Sequence, residues 1–191
     1  MKKTHYFIAV PLTDGVKKEL ATWSRSIASQ FPFRTWVHQE DYHLTLAFLG
    51  DASSEKRKAV CEAMKAIGKQ HAPFSLELER IGVFGNPQAP RILWKGVKRE
   101  EGLFALQQDV YEACKQIGFM LDDRPFAPHI TVARKWQGET NFSLEEIRYV
   151  DRVQGHFAVD QIVLYQTHLD RVPKYETIAT FPLIDEKGEE K

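Results

Sequence analysis

Two four-residue runs, His43-Leu44-Thr45-Leu46 and His129-Ile130-Thr131-Val132, repeat one pattern of histidine, aliphatic, threonine, aliphatic in the most strand-forming stretches of this 191-residue chain. Residues two apart on a β-strand point the same way and lie roughly 6–7 Å apart. Each run therefore sets an imidazole beside a hydroxyl on one face and sends two aliphatic side chains into a core behind it. A fold that satisfies both runs needs two strands with one polar and one buried face. The repeat is best explained if those polar faces share a groove.

The rest of the chain alternates strands with single helices. Residues 5–10 read as a strand, and Val16, Leu20, Trp23 and Ile27 mark one face of a helix opened by Asp14, with a loop after it. Ser53 or Ser54 caps a second helix carrying Ala59, Val60, Ala63, Met64 and Ile67. Residues 74–78 alternate as a strand that continues toward Phe84, the GNPQAP run is a loop, and 91–97 form the next strand. Leu103, Leu106, Val110, Cys114 and Ile117 predict a third helix ending at Gly118, and a shorter one passes through Leu144 and Ile147. One long strand over 157–165 and a last one around 177–181 follow, and the terminal KGEEK reads as frayed. Hairpin-like loops and isolated helices indicate an α+β protein with antiparallel-rich sheets. A weak repeat of elements around the two tetrads points to two similar lobes.

Composition narrows the function classes. Lys plus Arg and Asp plus Glu each number 26, so no net charge draws the chain to long nucleic acid, although a terminal phosphate can still be recognised by a few local groups. The two cysteines, Cys61 and Cys114, fall in predicted amphipathic helices and read as small buried hydrophobes of a reducing compartment. The opening apolar run is too short for a secretion signal and ends at Pro11, and no stretch of 18 apolar residues suggests a membrane span. The expected location is cytoplasmic.

Paired imidazoles suit the transfer of two protons near neutral pH, because the unperturbed pKa lies near 6.5. In phosphodiester hydrolysis one neutral histidine can deprotonate water while a protonated one supplies the leaving oxygen, and two threonine hydroxyls can donate to the nonbridging oxygens. Such a site needs no metal and no cofactor. Zinc takes three or four protein ligands, and only Asp41, at the strand parity of His43, could join the two imidazoles. The glycines form neither a dinucleotide fingerprint nor a phosphate-binding P-loop, and no serine sits in a nucleophile elbow.

Neighbouring residues are less decided by pattern. Arg134 and Phe48 each stand five residues beyond a motif histidine, so strict alternation turns both away from the groove, Phe48 into the core. Arg134 is nonetheless the natural bidentate partner of a phosphate, and Phe48 is a candidate for stacking on a base. Tyr42 has the parity of a structural residue. Arg91 and Arg124 could border the groove or be solvated. His5, His38, His71, His156 and His168 lack matched neighbours in sequence and read as structural, with His5 the one that could line the groove.

Taken together, FIAVPL, HLTLAFLG, RILWKGV, RPFAPHITVAR, LYQTHL and YETIATF resemble the 2H phosphoesterase family over nearly the whole chain, more closely its RNA 2',3'-cyclic phosphodiesterase branch, historically called 2'-5' RNA ligase. The resemblance implies one domain over residues 1–191: a bilobal α+β fold whose two pseudo-symmetric antiparallel-sheet lobes, with outer helices and exchanged segments, bracket a central groove. It implies hydrolysis of a ribose 2',3'-cyclic phosphate to a 2'-phosphomonoester without metal or cofactor. His43 is then the general acid, His129 the general base, Thr45, Thr131 and Arg134 the phosphate contacts, and Phe48 an aromatic near the terminal base. Relatives commonly carry arginine where this chain has His5. The balanced charge favours short RNA ends or mononucleotides as partners, with no membrane and no obligatory protein partner. Two other readings are a module that binds RNA ends with little turnover, and a 2'-5' RNA ligase.

Overall fold

Among the described residues, 4–184, the computed structural model has nine strands and four helices, in an order set by the hydrophobic periodicities. They run β1 (His5–Pro11), α1 (Asp14–Ile27), β2 (Phe33–Trp36), β3 (His43–Gly50), α2 (Ser54–Gly68), β4 (Phe74–Asn86), β5 (Ala89–Val97), α3 (Glu101–Gln116), β6 (His129–Trp136), α4 (Leu144–Val150), β7 (His156–Val159), β8 (Gln161–Thr167) and β9 (Tyr175–Pro182), with a 3-10 turn at Gln39–Asp41 before β3. The terminal run 187–191, expected to fray, and the two lysines of the opening segment lie outside the described residues. Among the described residues no helix is long and apolar enough to cross a membrane.

The strand pairings are antiparallel and follow the path β7-β4-β5-β6-β3-β1-β8-β9, with β2 beside the far end of β6. Along that path four strands lie on each side of the β6–β3 junction, β2 adding a fifth to the β6 side, and the junction is a single residue pair, Leu44 with Ile130. Both are completely buried, each stabilising the core by about 2 kcal/mol. The residues that join the halves are thus the aliphatic neighbours of the two motif histidines. The expected pair of sheets is one hydrogen-bonded path with two halves.

The expected long strand over 157–165 is two strands. Asp160 interrupts it, and its carbonyl accepts the Leu183 N–H. On one side β7 pairs with β4; on the other β8 pairs with β1. One residue spans only about 3.8 Å, so elements far apart along the path meet here and the sheet must double back on itself. The 33–36 segment, read as loop, is the edge strand β2, and the GNPQAP loop tightens into the β4–β5 hairpin.

Each half lends a helix to the other. α3 follows β5 yet packs on β3 and α2, while α1 follows β1 and donates its Trp23 Nε1–H to the Val150 carbonyl at the end of α4 (2.9 Å). Val16, Leu20, Trp23 and Ile27 are the buried face of α1, as their spacing requires. Ser53 caps α2 by accepting the Lys56 N–H. At the end of α3, Gly118 adopts φ 93°, which allows the Phe119 N–H to reach the Cys114 carbonyl at 3.1 Å. Cys114 is fully buried, and burial pushes its thiol up to about 12, while Cys61 is partly exposed; both are free. Inside the second half, Lys95 on β5 is only 2% exposed and ion-pairs with Asp151 just after α4, at 2.7 and 2.9 Å.

Candidate active site

Matching irregularities in β3 and β6 decide what reaches the face that carries the two histidines. Opposite β1, Ile8 pairs with Ala47 and Ala9 with Thr45, which leaves Leu46 as an extra residue. Opposite β5, Leu93 pairs with Ala133 and Trp94 with Thr131, which leaves Val132 as the extra residue. In each strand two consecutive residues are buried, Leu46-Ala47 and Val132-Ala133. A β-bulge of this kind reverses the alternation beyond it. Phe48 and Arg134 consequently return to the face of the histidines, against the parity expectation for both. Phe48 is 54% exposed and meets His5 edge-on at 5.7 Å.

The two imidazoles are oriented alike. His43 Nδ1 lies 2.8 Å from the Asp41 carbonyl, and His129 Nδ1 lies 2.8 Å from the Ala127 carbonyl. A carbonyl only accepts, so each Nδ1 carries the proton and each Nε2 is an acceptor when neutral and a donor when charged. Thr45 Oγ1 stands 3.1 Å from His43 Nε2. Thr131, paired with Trp94, occupies the equivalent place in the second half. Arg134 is close enough for its charge to disfavour protonation of both rings, and His129 adds to the effect on His43.

Aromatic walls enclose the histidines unequally. His43 is surrounded by Phe7 (4.7 Å), Tyr175 (5.0 Å) and Tyr165 (6.0 Å). His129 stands against Phe84 (4.8 Å) and Trp94 (6.4 Å), and the indole can lie there because residue 82 is glycine: a Cβ at that position would come within 2.2 Å of it. Burial is the largest influence on both, pushing His43 down to about 4 and His129 below its ordinary value. Both rings are therefore neutral at pH 7 in the free protein.

Tyr42 is buried, with its hydroxyl 3.2 Å from Ser24 Oγ. Asp41 is no strand neighbour of His43, because the 3-10 turn directs its carboxylate onto the backbone N–H groups of Lys174 and Tyr175. The histidines read as unmatched do have partners: His71 with Asp109, His156 with Glu77 and His168 with Glu176, while His38 caps the 3-10 turn. Arg124 pairs with Asp122, and Arg91 is exposed. Among the described residues no three His, Cys, Asp or Glu side chains converge in a way that could hold a metal ion. Two cavities of about 730 and 430 Å³ flank α1, and neither is lined by a motif histidine. Pattern reasoning missed Phe7, Tyr165, Tyr175, Phe84 and Trp94 as walls of the site. The alternation of Phe7 with His5 on β1 was the one available signal.

A model of LigT-like phosphoesterases matches residues 10–94 and 96–175. This chain belongs to that family. An RNA 2',3'-cyclic phosphodiesterase of Geobacillus stearothermophilus is 56% identical to it over 184 residues, 96% of this chain and 59% of that protein, so the chain spans less than two thirds of that relative. A protein of the same description from Bacillus subtilis (strain 168) is 35% identical over 183 residues, 95% of this chain and 97% of the relative. Among solved structures, Escherichia coli LigT complexed with 3'-AMP superimposes with a TM-score of 0.79 at 25% identity, covering 96% of this chain and 100% of that one. The LigT-like fold is thus present over the described residues, with the two histidine motifs on the strands that join its halves.

Proposed function

We propose that this LigT-like phosphoesterase hydrolyses 2',3'-cyclic phosphates at RNA ends or on nucleotides to 2'-phosphomonoesters, using neither metal nor cofactor. The observation that carries the reading is the identical presentation of two Nε2 atoms, each fixed by an Nδ1–H···O=C bond of 2.8 Å. Neutral His129 takes a proton from water as its oxygen bonds to phosphorus. The P–O3' bond breaks, and protonated His43 delivers its proton to the departing ribose oxygen. Thr45 and Thr131 donate to the nonbridging oxygens, and Arg134 balances their charge. Because the free His43 is neutral at pH 7, the bound phosphate anion must stabilise its protonated form, an opposite charge favouring the imidazolium. On this reading Phe48 stacks on the terminal base, which its exposed ring supports.

The naming of the Geobacillus and Bacillus relatives supports the substrate class, and E. coli LigT with 3'-AMP supports a nucleotide in the groove. On this reading the whole chain is one domain of two intertwined lobes, since a single site draws on both, and its location is cytoplasmic, in keeping with the free Cys61 and Cys114. The test is product-resolved hydrolysis of the four nucleoside 2',3'-cyclic phosphates after chelator treatment. Release of 2'-phosphate is expected. Exclusive 3'-phosphate would overturn the leaving group, metal dependence the mechanism, and binding without turnover the enzymatic reading.

A further inference from the structure

We infer that Asp41 is a positioning residue for His43, its main-chain carbonyl fixing the imidazole while its carboxylate holds Tyr175 edge-on against the same ring. Asp41 is only 5% exposed, and a carboxylate this buried requires compensation. It is met by backbone alone: the Lys174 N–H lies 2.8 and 3.0 Å from its two oxygens, and the Tyr175 N–H lies 3.1 Å from Oδ1. These bonds pin the start of β9, more than 130 residues away in sequence, to the turn that precedes β3. Tyr175, the first residue of β9, then stands perpendicular to His43 at 5.0 Å and against Phe7 at 4.9 Å, with its hydroxyl toward Arg134.

The second half sets this arrangement in relief. Ala127 holds the place of Asp41 relative to His129 and supplies the same carbonyl, but it has no carboxylate, and the walls of His129 come from the β4–β5 hairpin without such a tether. Orientation of the imidazole by a carbonyl is common to both halves. The carboxylate belongs to His43 alone, and its effect is to bring an aromatic from a distant strand over the ring. A ring held in one orientation reacts faster than one that must find it, and misplacement by about 1 Å can cost 100-fold.

The inference rests on the reading of His43 as a reacting group, and one of its two measurements needs no substrate. The groups facing His43 are Asp41 from the turn, Arg134 and His129 from β6, Tyr165 from β8 and Tyr175 from β9. The Asp41 charge by itself raises the His43 pKa. Asp41→Ala should therefore lower that pKa further if charge were all that mattered, and raise it toward 6.5 if the substitution releases Tyr175 and lets water reach the ring. Asp41→Asn keeps an oxygen able to accept from both Lys174 and Tyr175, so it removes the charge without the release.

The experiment is NMR titration of the His43 ring in wild type, D41A and D41N, with kcat and KM measured on a nucleoside 2',3'-cyclic phosphate. In D41A the pKa should rise and kcat should fall about 10- to 100-fold, more than KM changes. D41N should retain most of kcat, with a ring pKa at or below that of wild type. A pKa in D41A that falls or stays, with kcat unchanged, overturns the inference. If D41A does not fold, Tyr175→Leu decides with Asp41 intact: a raised His43 pKa and lowered kcat support the tether, and wild-type values overturn it. An inactive wild type whose ring titration still responds to D41A would overturn the proposed reaction and leave the tether standing.

Discussion

Burial of a neutral His43 makes the fold sensitive to acid, and the size of the effect follows from its two pKa values. In the unfolded chain the ring titrates near 6.5; in the folded protein burial pushes it down to about 4. Above pH 6.5 both states carry it neutral, and it contributes nothing to the pH dependence. As the pH falls below 6.5 the unfolded state binds a proton that the folded state refuses, so stability drops until the folded ring also titrates near 4. At pH 4.5 the unfolded ring is almost wholly protonated and the folded one only about a quarter, which amounts to a loss of about 2.5 kcal/mol at 1.36 kcal/mol per pKa unit. That is a large part of the ~5–15 kcal/mol available to a domain of this size. His43→Asn removes the titration while leaving a polar side chain of similar reach. Urea unfolding of wild type and H43N at pH 7.0 and 4.5 gives two stability differences, which should themselves differ by about 2.4 kcal/mol in favour of the variant at the lower pH. Titrating groups distant from His43 are present in both proteins and cancel, and His129, whose charge acts on the His43 ring, is held constant by repeating the comparison in an H129N background. Equal differences at the two pH values would refute the burial argument.

The same depression moves the catalytic profile. Since kcat/KM reports the free protein, its bell should have both limbs below 6.5 and a maximum between about 4 and 6.5, whereas kcat, measured on the complex in which phosphate favours the imidazolium, should peak at higher pH; a kcat/KM maximum above pH 7 would contradict this. In the core of the second half, Asp151→Ala leaves the buried Lys95 ammonium without its partner and should cost about 3–5 kcal/mol in chemical denaturation, while Lys95→Met combined with D151A should recover most of the loss. A double variant no more stable than D151A would show that the ion pair is not the source of the cost.

The two His-Thr faces were legible in the sequence because they depend on the alternation of a strand, the most local property it has. Arg134 and Phe48 defeated the same rule for a local reason. Thr-Leu-Ala-Phe and Thr-Val-Ala-Arg each contain an apolar doublet, and a doublet inside an alternating strand is what a β-bulge looks like before it is folded. Its recurrence at the end of both tetrads is a usable signal. Resemblance implies that Arg134 and Phe48 belong to the site, and the bulges turn both to the face of the histidines. The break at Asp160 was hidden because Phe157 to Tyr165 is strand-forming on both sides; only the pairing of β7 with β4 and β8 with β1 separates them. Asp41 and Tyr175 could not be linked from sequence at all, since the bonds between them are to backbone N–H groups and leave no side-chain pattern. Two lobes were expected from the repeat of elements. That their junction is the single pair Leu44–Ile130 emerges only from the register.

The central claim is that His43 and His129 are halves of one site rather than two equivalent sites. Single-turnover hydrolysis of a nucleoside 2',3'-cyclic phosphate by H43A, H129A and the double variant tests it most directly. Each single substitution should remove nearly all activity, and the double should be about as slow as the slower single, because groups that act as a unit lose their effect together. If H43A and H129A each kept about half of the wild-type rate and only the double variant lost it, each histidine would be working alone and the account would be wrong.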